Sequence, residues 1–252
     1  MKKIIIGNWK MNPGSPEEAK KLFRAVKNKA SRLRKTKCVI CPPSIYIEAL
    51  GKISSPSCQI GGQDSFWERE GAYTGEISPG MLKRSGVKYV ILGHSEKREL
   101  GDTDEIVNKK IKLALDYHMV VILCVGERVR DDEGKYLNFL KGQINESLKR
   151  ISPQYYKNII IAYEPIWAIG SRARGVSTPE DFLEKSIFIR KVISQITNKK
   201  LAMGIPIIYG GSASDINTEG FLKKGRADGL LVGRASIDAK KFNKILEISD
   251  LI

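Results

Sequence analysis

Short apolar runs alternating with helical segments, eight times over, constrain this chain more than any other feature. The runs begin at Lys3, Cys38, Cys58, Tyr89, Val120, Ile159, Pro206 and Gly229. Most are four to six residues rich in Ile and Val, the pattern of strands buried on both faces in a parallel sheet. Helical periodicity is expected from about Pro16 to Leu33, after Ser44, from Met81 to Ser85, Ile106 to Tyr117, Leu137 to Leu148 and Phe182 to Ile196, and after Ser214 and Asp238. Eight such alternations predict an α/β fold, a closed (β/α)8 barrel with residues 1–252 as a single domain. A doubly wound sheet is the alternative, but no G-x-G-x-x-G follows the first run. One stretch, Asp64 to Pro79, is too long for a plain connection, so it must protrude or be held by a partner.

No Pro/Gly/Ser-rich linker or low-complexity tract divides the sequence. No apolar run approaches the roughly 18 residues of a membrane span, so a soluble, cytoplasmic protein without a membrane partner is expected. Lys and Arg number 43 against 28 Asp and Glu, a formal net charge of +15. Nine of the cations, from Lys20 to Lys37, form a block with no acid among them, and Leu22, Phe23, Val26, Ala30 and Leu33 recur inside it at helical spacing. That is the outer face of a packed helix, and without interleaved aromatics it argues against nucleic acid as a partner. Cys38 and Cys41 form a C-x-x-C, but in a strand positions three apart point to opposite faces, so no metal site is expected and no metal is assigned.

In a β/α barrel the loops at the C-terminal strand ends converge on one mouth. Reading those ends yields Asn8 and Lys10, then His94, Glu164, Gly210-Gly211-Ser212 and Gly233-Arg234. The sixth run stops at Glu164-Pro165, and an apolar loop then leads to Thr178-Pro179-Glu180-Asp181, a helix start with N-cap, N1 proline and capping-box acid. Such a loop is suited to closing over a ligand and desolvating the carboxylate at its base. A carboxylate can take a proton from carbon beside a carbonyl if donors stabilise the oxyanion that forms, and Lys10, His94 and the Asn8 amide are such donors. His94 precedes a short helical turn, so its imidazole is expected to stay neutral. The glycine turns expose N–H groups suited to a phosphate. Singly, each of these residues has an ordinary structural explanation; together, at the ends of parallel strands, they point to a site.

Seven segments in order resemble the triosephosphate isomerase family: Gly7 to Asn12, Gly71 to Glu76, Gly93 to Arg98, Cys124 to Glu127, Ala162 to Gly170, Tyr209 to Ser212 and Leu231 to Gly233. The resemblance implies a glycolytic and gluconeogenic isomerase interconverting dihydroxyacetone phosphate and D-glyceraldehyde 3-phosphate through an enediolate. It implies Glu164 as the base, His94, Lys10 and Asn8 as electrophiles, and Glu96 as their support. Backbone N–H groups of Gly170, Ser212, Gly233 and Arg234 would hold the phosphate, and no cofactor is implied. The neutral histidine and the closing loop are already established for that family. A homodimer also follows from the resemblance, with Thr74 approaching the other subunit near Met11 and Glu76 approaching its Arg98.

Two features depart from the family pattern. The segment Ser171 to Ser177 is about two residues longer than usual and carries two arginines, which predicts altered loop kinetics. Arg234 stands where a second glycine is common, so its side chain is expected to be either strained or turned outward. Two other readings remain at this stage: a barrel using Lys10 as a Schiff-base nucleophile, and a basic nucleic-acid or surface-binding protein on a disabled barrel.

Overall fold

In the computed structural model, which describes residues 2–131, 133–168 and 175–252, every strand lies parallel to its neighbours and the last pairs with the first. The strands are β1 (Lys3–Asn8), β2 (Thr36–Cys41), β3 (Cys58–Gly62), β4 (Tyr89–Leu92), β5 (Val120–Val125), β6 (Ile159–Tyr163), β7 (Ile207–Tyr209) and β8 (Gly229–Val232). They close in sequence order, β8 pairing β1 through Ile4 opposite Gly229 to Gly7 opposite Val232. This is the expected (β/α)8 barrel.

The barrel interior is filled by twelve buried side chains, among them Ile6, Val39, Cys41, Ile91, Cys124 and Ile208. Twelve is what three layers of four require, so the interior is a packed core and not a pore. Alternate strand residues face outward against the helices: Ile5, Cys38, Val90, Val121, Ile161 and Leu230 belong to that second layer. Cys38 and Cys41 therefore do point to opposite faces, and all four cysteines are free and buried. The Cys38 thiol instead lies 3.9 Å from that of Cys58 on the neighbouring strand.

Among the described residues, ten helices cover the outside: α1 (Pro16–Ala30), α2 (Ile47–Gly51), α3 (Pro79–Arg84), α4 (Ser95–Glu99), α5 (Asp104–Asp116), α6 (Lys135–Ser147), α7 (Pro179–Ile196), α8 (Lys199–Gly204), α9 (Thr218–Lys223) and α10 (Ala239–Leu251). Helix α7 starts with the predicted capping box, Thr178 accepting from the Asp181 N–H while the Asp181 carboxylate accepts from the Thr178 N–H. Helix α1 ends at Ala30 and not Leu33, because the Ser31 N–H already closes onto the Lys27 carbonyl and Leu33 tucks back against the core. Helix α8 and the 3₁₀ turn at Pro153–Asn158 have no counterpart in the sequence reading. Each is too short to develop an apolar period.

The fourth strand was expected to run to His94 but stops at Leu92. Gly93 adopts φ +71°, and His94 becomes the N-cap of α4. A side chain at Gly93 would strain that left-handed turn and also meet the Arg98 guanidinium. The glycine thus turns an ordinary strand residue into one whose imidazole faces the barrel mouth.

Candidate active site

At the C-terminal end of the barrel, β1, β4 and β6 deliver Lys10, His94 and Glu164 to one place. Glu164 follows β6 directly, its N–H donating to the Val125 carbonyl at 2.8 Å, and it is 2% exposed. One carboxylate oxygen, Oε2, accepts the Ser95 N–H at 3.1 Å. The other, Oε1, lies 3.3 Å from His94 Nε2. On the far side of the ring, His94 Nδ1 accepts the Glu96 N–H at 3.2 Å. An Nδ1 that accepts carries no proton, so the imidazole is neutral and Nε2 is its donor.

Lys10 lies across the mouth with its ammonium 2.6 Å from Glu96 Oε1. Its backbone sits at φ +53°, a left-handed conformation that costs a non-glycine residue about 1 kcal/mol. Two amides hold it there: Asn8 Oδ1 accepts the Lys10 N–H at 3.1 Å, and Gln63 donates to the Lys10 carbonyl at 2.9 Å. Gln63 also donates to the Cys41 carbonyl at 2.9 Å, tying β1 and β2 at their tips. Gln63 was not among the residues singled out from sequence, although it ends the third run and the same strand-tip rule reaches it.

On the third side, Gly233 stands beside Lys10, where an added Cβ would come within 3.7 Å of Lys10 Cε. Gly233 opens a 3₁₀ turn, Arg234–Ile237, whose Ser236 hydroxyl contacts the Asn8 and Gly233 carbonyls. Arg234 is exposed and does not enter the left-handed region, so of the two alternatives for its side chain the structure takes the outward one. Ser212, in the turn after β7, donates its hydroxyl to the Ala168 carbonyl at 3.0 Å. Gly170 and Ser171 to Arg174 lie outside the described residues, and with them most of the predicted longer segment.

A buried cluster stands behind Glu164. Glu127, 1% exposed, accepts from the Tyr163 hydroxyl at 2.7 Å and from the Trp167 indole at 2.9 Å. The Arg130 guanidinium stacks over the Trp167 ring at 4.4 Å and pairs with Asp181 at 3.0 Å. Burial pulls that guanidinium down, but Asp181 and Tyr163 outweigh it and hold it above its usual range. Burial and the adjacent Glu127 carboxylate push the Tyr163 phenol well up, and burial takes Tyr209 to about 12. Burial also raises the Cys124 thiol, with neighbouring Glu164 adding to it. These phenols and this thiol therefore stay neutral at physiological pH and act as scaffold. Glu127 and Trp167 fall in segments that carry the family resemblance; Arg130 had no signal in the sequence.

The predicted contacts to another subunit lie in three places. Met11 is 94% exposed, and Thr74 and Glu76 are exposed on the stretch after β3, which is pinned at its base by the Phe66 N–H to the Ile77 carbonyl. Arg98 is held within its own chain by the Gly93 carbonyl and Asp104, while its Nη2 is buried with no hydrogen-bond partner among the described residues. A cavity of about 730 Å³ opens beside Lys10 and His94 and extends past Met11, Gln63 and Leu82.

A neutral imidazole donor, an ammonium and a desolvated carboxylate around one opening can move a proton on carbon next to a carbonyl. The family model for triosephosphate isomerase matches residues 3–249. A triosephosphate isomerase of Natranaerobius thermophilus is 40% identical over 248 residues, covering 98% of this chain and 95% of its own length. That of Thermoanaerobacter pseudethanolicus is 42% identical over 246 residues, covering 96% and 98%. That of Dictyoglomus thermophilum is 40% identical over 252 residues, covering 98% and 99%.

Proposed function

We propose, from the premise that this chain belongs to the triosephosphate isomerase family, that Glu164 is the base of a proton shuttle between C1 and C2 of dihydroxyacetone phosphate. The chain is an isomerase; the residue roles are our reading. Glu164 takes the C1 proton, the C–H electron pair becomes the C1–C2 double bond, and negative charge gathers on the C2 oxygen as an enediolate. A proton then moves from the C1 hydroxyl to the C2 oxygen, leaving the charge on the C1 oxygen, and returning the abstracted proton to C2 as the C1–O double bond forms completes D-glyceraldehyde 3-phosphate, with nothing consumed.

The observation that carries this reading is the His94 hydrogen bonding. Because Nδ1 accepts from the Glu96 N–H, Nε2–H is available to a substrate oxygen, and it is the same donor that Glu164 Oε1 approaches at 3.3 Å. A carbonyl oxygen arriving at Nε2 takes over that donor and frees the carboxylate beside the carbon it must deprotonate. Lys10 and the Asn8 amide add positive potential on the same oxygen, and Glu96 keeps the ammonium oriented at 2.6 Å. On the phosphate, backbone N–H groups of Ser212, Gly233 and Arg234 are assigned with Gly170, the Lys10 charge lying on the Gly233 side.

The test is hydrogen exchange at carbon. Dihydroxyacetone phosphate incubated with the protein in D2O acquires deuterium at C1, and the aldose product acquires it at C2, both read by proton NMR. Absence of label in both positions while aldose accumulates would exclude the shuttle. Trapping of substrate on Lys10 by borohydride would identify the Schiff-base alternative instead.

The proposed assembly is a homodimer in which Thr74 of each chain reaches the Met11 region of the other and Glu76 approaches Arg98. Support comes from the exposure of Met11, Ile45, Tyr73 and Leu100, apolar side chains near the 730 Å³ cavity or on the protruding stretch, and from the unpartnered Arg98 Nη2. A lone buried guanidinium nitrogen and so much exposed apolar surface are costly in a monomer. Specific activity is then expected to fall on dilution in step with the loss of dimer seen by analytical ultracentrifugation. Full activity retained in a demonstrated monomer would remove the dimer from the mechanism.

A further inference from the structure

The net charge is segregated along the barrel axis. Seven segments lead from a helix into the N-terminal end of a strand: 31–35, 52–57, 85–88, 117–119, 148–158, 197–206 and 224–228. With Lys2 before β1 they hold 13 Lys and Arg and a single acid, Asp228. The described segments that follow the strands at the catalytic mouth are 9–15, 42–46, 63–78, 93–103, 126–131, 133–134, 164–168, 175–178, 210–217 and 233–238. They hold 7 Lys and Arg, of which Arg69 reaches back to Asp116, against 13 Asp and Glu. The face opposite the site therefore carries +12, while the mouth segments are net acidic. A six-residue strand spans about 20 Å, well beyond the roughly 8 Å over which charge acts through physiological salt, so this excess does not draw substrate to the mouth.

All 13 cations are exposed. Only Lys52, with Glu48, and Lys149, with Glu146, have a carboxylate within salt-bridge distance among the described residues. The acids at the rim are already committed. Asp228 pairs with Arg190, Asp116 lies 3.5 Å from Arg69, and Asp250 accepts the backbone N–H groups of Arg34 and Lys35. Helix C-termini favour cations through their dipoles, which accounts for the sign at this end. It does not account for 13 of them on one face with a single acid among them.

We propose that this N-terminal face of the barrel is a docking surface for an anionic lipid bilayer, engaged with the catalytic mouth turned away. The cations precede seven of the eight strands, all but β5, and a planar array of headgroups meets this ring at once, whereas a nucleic-acid duplex touches only a strip of it. Of the rings in the seven segments only the His118 imidazole is exposed, Tyr117 and Tyr155 being half-buried, so no row of stacking platforms runs along this face. Flanking Lys199 and Lys200, Ile196 and Met203 are 39% and 62% exposed, apolar side chains that a headgroup boundary can bury and a phosphate backbone cannot. The expectation of no membrane partner rested on the want of a spanning segment, and no helix among the described residues is long and apolar enough to cross a membrane. Peripheral, electrostatic contact needs none.

The experiment is co-sedimentation of the full chain with vesicles of phosphatidylcholine containing about 30% phosphatidylglycerol, against pure phosphatidylcholine. Binding is expected only to the anionic vesicles, and it should be released by about 0.5 M NaCl. Reversing Lys88, Lys199 and Lys200 to Glu is expected to weaken binding by about 10-fold or more, whereas reversing Lys21, Arg24 and Lys241 on the flanks of α1 and α10 leaves it within about twofold. Isomerase activity, which involves none of the six, checks that every variant is folded, and the outcome does not depend on the residue roles assigned above. Three outcomes would overturn the proposal: no binding to anionic vesicles at low salt, equal losses from the two sets, or displacement from vesicles by a duplex RNA that binds more tightly.

Discussion

Glu164→Asp lowers kcat by about 100-fold while KM stays within about twofold, because one fewer methylene withdraws the carboxylate by roughly 1 Å from the carbon it must deprotonate. The protein around it is rigid enough for that retreat to matter. Glu164 is 2% exposed, its backbone N–H is fixed to Val125, and its carboxylate is bracketed by the Ser95 N–H and the His94 ring. Added Cβ atoms at Gly126 or Gly210 would meet Glu164 atoms, so neighbouring backbone leaves the residue no room to advance and compensate. The loss should fall on kcat, since the carboxylate is assigned to the proton and not to holding the phosphate. Steady-state kinetics in both directions measure it, and a variant retaining the full rate would show that another group is the base.

Gly126→Ala is expected to be at least as severe, and for a reason that can be separated from chemistry. Gly126 follows β5 directly, and a Cβ there would overlap the Glu164 carbonyl oxygen, with the carbonyl carbon and Cα close behind. Those are backbone atoms of a strand end, and no side-chain rotation relieves the overlap. The Gly126 N–H is also held by Gln143 Oε1 at 2.7 Å, which blocks retreat in the other direction. Separating β5 from β6 at their tips should cost about 4 kcal/mol of stability, the range reserved for overpacked cores and broken networks. Denaturant titration reads that cost. Whatever fraction remains folded should show a kcat deficit like that of Glu164→Asp, because the same displacement moves the carboxylate. A variant of undiminished stability would mean that the β5 and β6 ends are not packed as described.

Glu164, His94 and Lys10 could be placed at one mouth from order alone because a parallel barrel makes chain direction and spatial direction the same thing. Every run of Ile and Val pointed its C-terminal end at one mouth, so a polar residue at such an end was already placed without coordinates. The same logic located Gly233 and Ser212. It passed over Gln63, which looks like one more strand residue until its amide is seen bridging the Lys10 and Cys41 carbonyls. It could not reach Arg130, whose stacking on Trp167 and pairing with Asp181 join residues distant in sequence. Nor could it foresee that Glu164 rests on the Ser95 N–H, since a backbone donor leaves no mark in the sequence.

What the sequence determined by itself was therefore the directional part of this protein: eight strand-to-helix steps, the polarity they share, and which side chains stand at their ends. These are local properties, set by apolar period, capping residues and chain-breaking glycine and proline, and they survive being read one segment at a time. Tertiary structure alone decided distances and partners, such as the His94 tautomer that follows from the Glu96 N–H, the left-handed Lys10 held by two amides, and the close fit of Gly126 against Glu164. It also converted a featureless total of +15 into a charged face, because closing the ring gathers every helix-to-strand connection at one end. A sum over residues has no direction, and only a closed topology supplies one.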